Sequence, residues 1–107
     1  MQFKPLLDSY FQAANNHDVA AMLDHFAEDV TVQDEGKEHH GREQIRHWLE
    51  ETNASYNPRY VVQELSVMGD TAKVAVTASG TFPGSPIRLT FNFTFAHDKI
   101  KSLTFGE

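Results

Sequence analysis

From Ile87 to Phe95 every second residue is apolar and every residue between is polar: Ile87, Leu89, Phe91, Phe93 and Phe95 against Arg88, Thr90, Asn92 and Thr94. Successive side chains of a strand point to opposite faces, so this period of two describes a strand with one buried face. The same period holds throughout the chain after Pro58. Val61, Leu65 and Val67 alternate with polar neighbours, and Gly69-Asp70 is a hairpin signal. Ala72, Val74, Val76, Ala78 and Phe82 line one face of the next strand, with Gly80 marking a bend or bulge. Pro83-Gly84-Ser85-Pro86 is a turn, and His97-Asp98 leads into a last strand carrying Ile100, Leu103 and Phe105.

Before Pro58 the period is helical. Phe3, Leu6, Leu7, Tyr10, Phe11 and Ala14 follow i, i+3, i+4 spacing, and Asn15-Asn16-His17 ends that helix because short amides favour turns. Asp18 is placed to cap a second, shorter helix with Val19, Met22, Leu23 and Phe26 on its apolar face. Val30-Thr31-Val32 reads as a short strand, and Asp34 to His40 as an irregular acidic segment. Gly41 to about Thr52 is a third helix with Ile45, Trp48 and Leu49 on one face. Helices followed by a meander make an α+β layout, with the helices laid on one face of a curved sheet.

The 107 residues suit one domain, 1–107, without repeats or linkers. There is no cysteine, which removes disulfides, thiolate nucleophiles and Cys-ligated metals, and fits a reducing, cytoplasmic setting. A net charge of −6 argues against nucleic acid and anionic membranes as partners. No apolar run approaches the ~18–20 residues of a membrane helix. Met1-Gln2-Phe3-Lys4-Pro5 lacks the basic-then-apolar pattern of a signal peptide.

Two side chains suggest chemistry. Val30, Val32 and Asp34 share one strand face, so an inward face would set the Asp34 carboxylate at the inner end of an apolar pocket, where a general base belongs. The plainer alternative is a solvated turn residue. Tyr10 lies on the apolar face of the first helix, and a buried hydroxyl there needs a partner: a substrate oxygen, another side chain or a buried water. Trp48, Phe91, Phe93 and Phe95 are core residues that could also wall a cavity. Of the adjacent His39 and His40, one could stand at its entrance, and His40 is the candidate. Adjacent histidines in an extended segment point apart, so they make no ready metal site. His17, His25 and His97 fit turn or helix-surface positions. No metal or cofactor is expected.

The ordered set Tyr10-Phe11 to Asn15-Asn16-His17-Asp18, Phe26-Ala27-Glu28-Asp29, Gly41-Arg42-Glu43-Gln44-Ile45 and long alternating strands resembles the nuclear-transport-factor-2-like superfamily, especially its SnoaL-like and ketosteroid-isomerase-like branches. The resemblance covers essentially the whole chain. It implies a cone: a strongly curved, mostly antiparallel (mixed) sheet wrapped around three helices, with an apolar pocket at one end. It sets Tyr10 on the family's oxyanion-hole tyrosine, Asp34 on its general base, and Phe105 of Phe105-Gly106-Glu107 on a pocket aromatic. It also shows two departures. Phe91 stands where the second oxyanion donor would be, and Leu49 replaces a supporting tyrosine.

Two functions fit these residues. One is an acid–base enzyme of isomerase, cyclase or dehydratase type on a small apolar carbonyl compound, with Asp34 as base and Tyr10 as oxyanion donor. The other is a non-catalytic small-molecule-binding or accessory dimeric module. In either, Phe26, Val32, His40, Trp48, Phe91, Phe93 and Phe105 are the expected ligand contacts. Thr77, Ser79, Thr90, Asn92 and Thr94 form a polar but uncharged outer sheet face, which suits a homodimer packed sheet against sheet.

Overall fold

A computed structural model describes residues 3–106. Met1, Gln2 and Glu107, which belong to the N-terminal and C-terminal motifs above, lie outside the described residues. The elements are α1 (Lys4–Asn15), α2 (Val19–Leu23), β1 (Phe26–Asp34), β2 (Lys37–His40), α3 (Gly41–Tyr56), β3 (Arg59–Met68), β4 (Thr71–Ser79), β5 (Ile87–Ala96) and β6 (Lys99–Gly106). The strands form one sheet in the order β2-β1-β6-β5-β4-β3. Neighbours are antiparallel except β1 and β6, which run parallel. The result is the mixed α+β cone that the family resemblance implies.

The core lies between the helices and one sheet face. Phe3, Leu7, Tyr10, Phe11 and Ala14 of the α1 region are buried against Ala72, Val74 and Val76 of β4 and Phe91, Phe93 and Phe95 of β5. The rings interlock: Phe3 stacks on Phe95 at 4.0 Å between centroids, and Tyr10 meets Phe93 edge-on at 5.9 Å. Burying one such ring contributes about 1.5–3 kcal/mol, so this cluster dominates the stability of the cone.

Local chemistry sets the element ends, and several differ from the sequence expectation. Asp18 caps α2 by accepting from the Ala21 N–H at 3.1 Å. α2 then lasts only to Leu23. The Ile100 N–H donates to the His25 carbonyl at 2.7 Å and draws the chain into the sheet, so Phe26 opens β1 instead of lying on the helix. The segment expected to be irregular is a hairpin. Glu35 and Gly36 both have positive φ, 53° and 77°, as a type I′ turn requires, and β2 pairs with β1 through His40. α3 runs past Thr52 to Tyr56 and stops where Asn57 adopts the left-handed conformation.

β3 departs most from simple alternation. A bulge between Val62 and Glu64 shifts the register against β4. Tyr60, Val62, Leu65 and Val67 therefore pair with the inward-facing Ala78, Val76, Val74 and Ala72, while Val61 pairs with the outward Thr77. Val61, expected to share a face with Leu65 and Val67, is 59% exposed on the outer face. β4 ends at Ser79, so Phe82 belongs to the β4–β5 loop. At Gly80 a Cβ would collide with the Tyr56 carbonyl oxygen, which accepts instead from the Thr81 N–H at 2.8 Å. Glycine is required there because α3 and the loop touch backbone to backbone.

Candidate functional site

The open end of the cone holds a cavity of about 490 Å³, a volume suited to a small ligand. Every layer contributes to its wall: Tyr10 from α1, Met22 from α2, Trp48 and Leu49 from α3, Tyr60 from β3, Phe91 from β5 and Phe105 from β6. Phe82 and Pro83 of the β4–β5 loop close one side. The Asp34–Glu35 end of the first hairpin carries two carboxylates to the other side. The wall is mainly apolar and rich in aromatic rings, and none of its side chains is basic.

Asp34 reaches the cavity by strand alternation. Val30 and Val32 are fully buried on the same face, and Asp34, one step further, is partly buried at the rim. The Trp48 indole N–H donates to Asp34 Oδ2 at 3.0 Å, so one carboxylate oxygen is held and the other is not taken by that bond. The rest of the cluster is aromatic. Trp48 lies 6.1 Å from Phe105 between ring centroids, and Phe105 meets Phe91 edge-on at 4.7 Å. At the rim the Tyr56 hydroxyl donates to Glu35 at 3.4 Å, and the nearby Glu35 charge is the foremost cause holding that phenol above its ordinary value.

Tyr10 stands at the inner end. Its ring meets Phe11, Phe26 and Phe93 edge-on at 5.3, 5.5 and 5.9 Å. Burial first, and the nearness of Tyr60 second, push its hydroxyl well above the ordinary tyrosine range. Burial and then the Asp34 charge push Tyr60 up to about 12. Both phenols are therefore neutral O–H donors at physiological pH. Asp34 thus acts on Tyr60 and Tyr60 on Tyr10, and all three residues line the one cavity.

The expected ligand contacts divide into two groups. Trp48, Phe91 and Phe105 line the cavity with Asp34 and Tyr10. Phe26, Val32 and Phe93 do not; each is almost completely buried in the closed core, because the helices cover that stretch of the sheet. His40 is also away from the wall. It pairs with Thr31 on the outward face, where its Nδ1 lies 3.1 Å from the Thr31 hydroxyl. Strand alternation turns His39 inward instead, opposite Val32, and its ring stacks on Trp48 at 5.8 Å.

Sequence reasoning did not single out Tyr60, Tyr56 or Glu35. The signal for Tyr60 lay on α1. The Asn15 side chain accepts from the Tyr60 N–H at 2.7 Å and donates to its carbonyl at 2.9 Å. His17 Nε2 lies 2.7 Å from the Pro58 carbonyl. The amides that end α1 thus also hold the start of β3. His25 is likewise tied down, with Nδ1 at 2.8 Å from the Ala21 carbonyl.

A curved mixed sheet around three helices, with an aromatic cavity at its open end, defines the cone-shaped proteins of the nuclear-transport-factor-2-like class. Within that class the chain belongs to the SnoaL-like domain family, which matches residues 7–103. A candidate polyketide cyclase from Sinorhizobium meliloti is 34% identical, with 95% of this chain and 94% of that one covered and a TM-score of 0.92. The epoxide hydrolase/cyclase-like enzyme SalBIII, which takes part in pyran ring formation in the polyether salinomycin, is 27% identical, covers 95% and 87%, and has a TM-score of 0.78. A protein with a ketosteroid isomerase-like fold from Catenulispora acidiphila shares the fold alone, at 22% identity, 97% and 85% coverage and a TM-score of 0.85. No curated protein matches the chain at a significant level.

Proposed function

We propose that this SnoaL-like protein is an acid–base enzyme acting on a small, apolar carbonyl compound, of isomerase, cyclase or dehydratase type. One observation carries this reading: Asp34 and Tyr10 line the same aromatic cavity. Asp34 takes a proton from the carbon next to the carbonyl, and the C–H electron pair moves to the oxygen. The Tyr10 O–H donates to that oxygen as its charge grows. The enolate then takes that proton back from Asp34 at another carbon, or expels a neighbouring hydroxyl that leaves as water with the Asp34 proton, or adds to a second carbonyl carbon whose oxygen takes up the electron pair and then the Asp34 proton as the ring closes. The Trp48 N–H orients the carboxylate toward the substrate. Two relatives carry cyclase in their names, which favours the ring-closing variant.

A binding module is the second reading. It is favoured by Phe91, an apolar ring where the resemblance implies the second oxyanion donor. A homodimer through the outer sheet face belongs to both readings. Val61 and Met68 lie there, 59% and 78% exposed, beside Thr77, Thr90, Asn92 and Thr94, on a face that also carries Glu64, Lys73 and Arg88.

Hydrogen–deuterium exchange next to the carbonyl of small cyclic ketones, followed by NMR in D₂O, separates the two functions. The enzyme should accelerate exchange over buffer, Asp34→Asn should slow it by about 10²–10⁴-fold, and Tyr10→Phe by about 10²–10³-fold. Tight ketone binding with exchange at the buffer rate would establish the binding module instead.

A further inference from the structure

The proposed chemistry uses one phenol, yet three tyrosines, Tyr10, Tyr56 and Tyr60, line the cavity. An enolate oxygen carries more than one lone pair, and in an apolar site a lone pair left without a donor is destabilising. Tyr10 can satisfy only one. Of the other donors on the wall, the Trp48 N–H is engaged by Asp34 and the Tyr56 hydroxyl by Glu35, while Thr52 and Asn53 belong to α3 and not to the Phe11 side that Tyr10 and Tyr60 share.

Tyr60 is held in place to act beside Tyr10. Its peptide group is clamped on both sides by Asn15, at 2.7 and 2.9 Å. Its ring sits edge-on to Phe11 at 6.1 Å and to Phe91 at 5.7 Å. Tyr10 packs on that same Phe11 ring at 5.3 Å, so one aromatic side chain spaces the two phenols. Among the described residues neither hydroxyl has a hydrogen-bond partner, and both residues line the cavity. Phe91 supplies no polar atom where its ring abuts Tyr60.

We infer that the hydroxyls of Tyr60 and Tyr10 donate together to one substrate oxygen, forming a two-phenol oxyanion site. This extends the proposed acid–base reading. Tyr60 becomes a catalytic residue in the sense that it touches the reacting oxygen. The ligand class follows: a planar apolar body with a single oxygen able to carry negative charge, an enolate or a phenolate. Molecules with a carboxylate or phosphate are disfavoured, because Asp34 and Glu35 repel them and the wall offers no basic side chain.

The test uses 4-nitrophenol as the probe, bound to the Asp34→Asn protein so that no base charge opposes the anion. Absorbance reports both the affinity and the fraction of bound probe that is ionised. Tyr60→Phe keeps the ring and its packing, and thermal unfolding checks that the fold is retained. Tyr60→Phe and Tyr10→Phe should each weaken binding of the ionised probe by about 10–100-fold and shift the bound probe toward its neutral form. Their effects should combine to less than the product, because both donors hold one oxygen. A residue that only walls the cavity would change the affinity of both forms alike and leave the ionised fraction unmoved. If Tyr60→Phe behaves that way while Tyr10→Phe lowers the ionised fraction, the second donor is refuted and Tyr10 keeps its role. If neither substitution moves that fraction, or if the probe does not bind at all, the oxyanion reading of the whole site fails with it.

Discussion

Asp34 owes its place to its neighbours. Strand alternation carries it to the inward face after Val30 and Val32, the Glu35-Gly36 turn stops the strand there, and the Trp48 N–H holds one oxygen. Deeper in the cavity, Tyr60 lends itself to a stability measurement. Its hydroxyl is raised from 10.0 to about 12 in the folded protein, foremost by burial. The folded state therefore keeps the proton more tightly than the unfolded chain. Below pH 10 both states are protonated and this contribution is fully present. As pH rises from about 10 to 12 the unfolded chain ionises first and stability falls, by on the order of 2–3 kcal/mol. Urea unfolding across that range should show a shallower decline for Tyr60→Phe than for the wild type. An equal slope in the two proteins would assign the decline to Tyr10 and the other ionising groups.

Among the elements, the junction of α1, α3 and β3 decides whether the cavity exists. Asn15 ties the end of α1 to the start of β3, and Gly80 lets the β4–β5 loop touch the end of α3. Asn15→Ala removes both bonds and leaves a partly buried peptide group with fewer partners. It should cost about 1–3 kcal/mol in urea unfolding and weaken ligand binding as Tyr60 loosens. Gly80→Ala forces the loop away from Tyr56 and should cost about 1–3 kcal/mol. Normal stability in Gly80→Ala would show that the loop can move aside without loss. The element order was legible in the sequence because each element carries its own period and its own cap or turn. The exceptions are instructive. Phe26 fits a helical stripe by spacing, yet the Ile100-to-His25 backbone bond, made across most of the chain's length, assigns it to a strand. The bulge that puts Val61 outside and Tyr60 on the wall has no strong local signal, since either register leaves an apolar residue on the inner face.

At the scale of the whole molecule, the parallel pairing of β1 with β6 joins the first hairpin to the meander and brings Asp34 to the end of the cone where Phe105 lies. No helix among the described residues is long and apolar enough to cross a membrane. The outer sheet face is the surface of the proposed homodimer. Light scattering after size exclusion should give twice the monomer mass at micromolar concentration, and Met68→Lys with Thr90→Arg should shift the protein toward monomer. A monomeric wild type would remove the homodimer from the proposal.

By itself the sequence determined the alternation of helical and strand periods, the burial of the Phe91-Phe93-Phe95 row, the α2 cap at Asp18 and membership of the cone-shaped class. The first three are properties of neighbouring residues and need no distant partner, whereas the class came from the resemblance of the whole ordered set to a family. Tertiary structure alone decided that His39 and not His40 stacks on Trp48, that Phe26, Val32 and Phe93 lie in closed core, and that Tyr60 joins Tyr10 and Asp34 at one cavity. Strand alternation limits each side chain to one of two faces. Which face is covered, and how far along it the helices reach, depends on packing between segments that lie far apart in the chain.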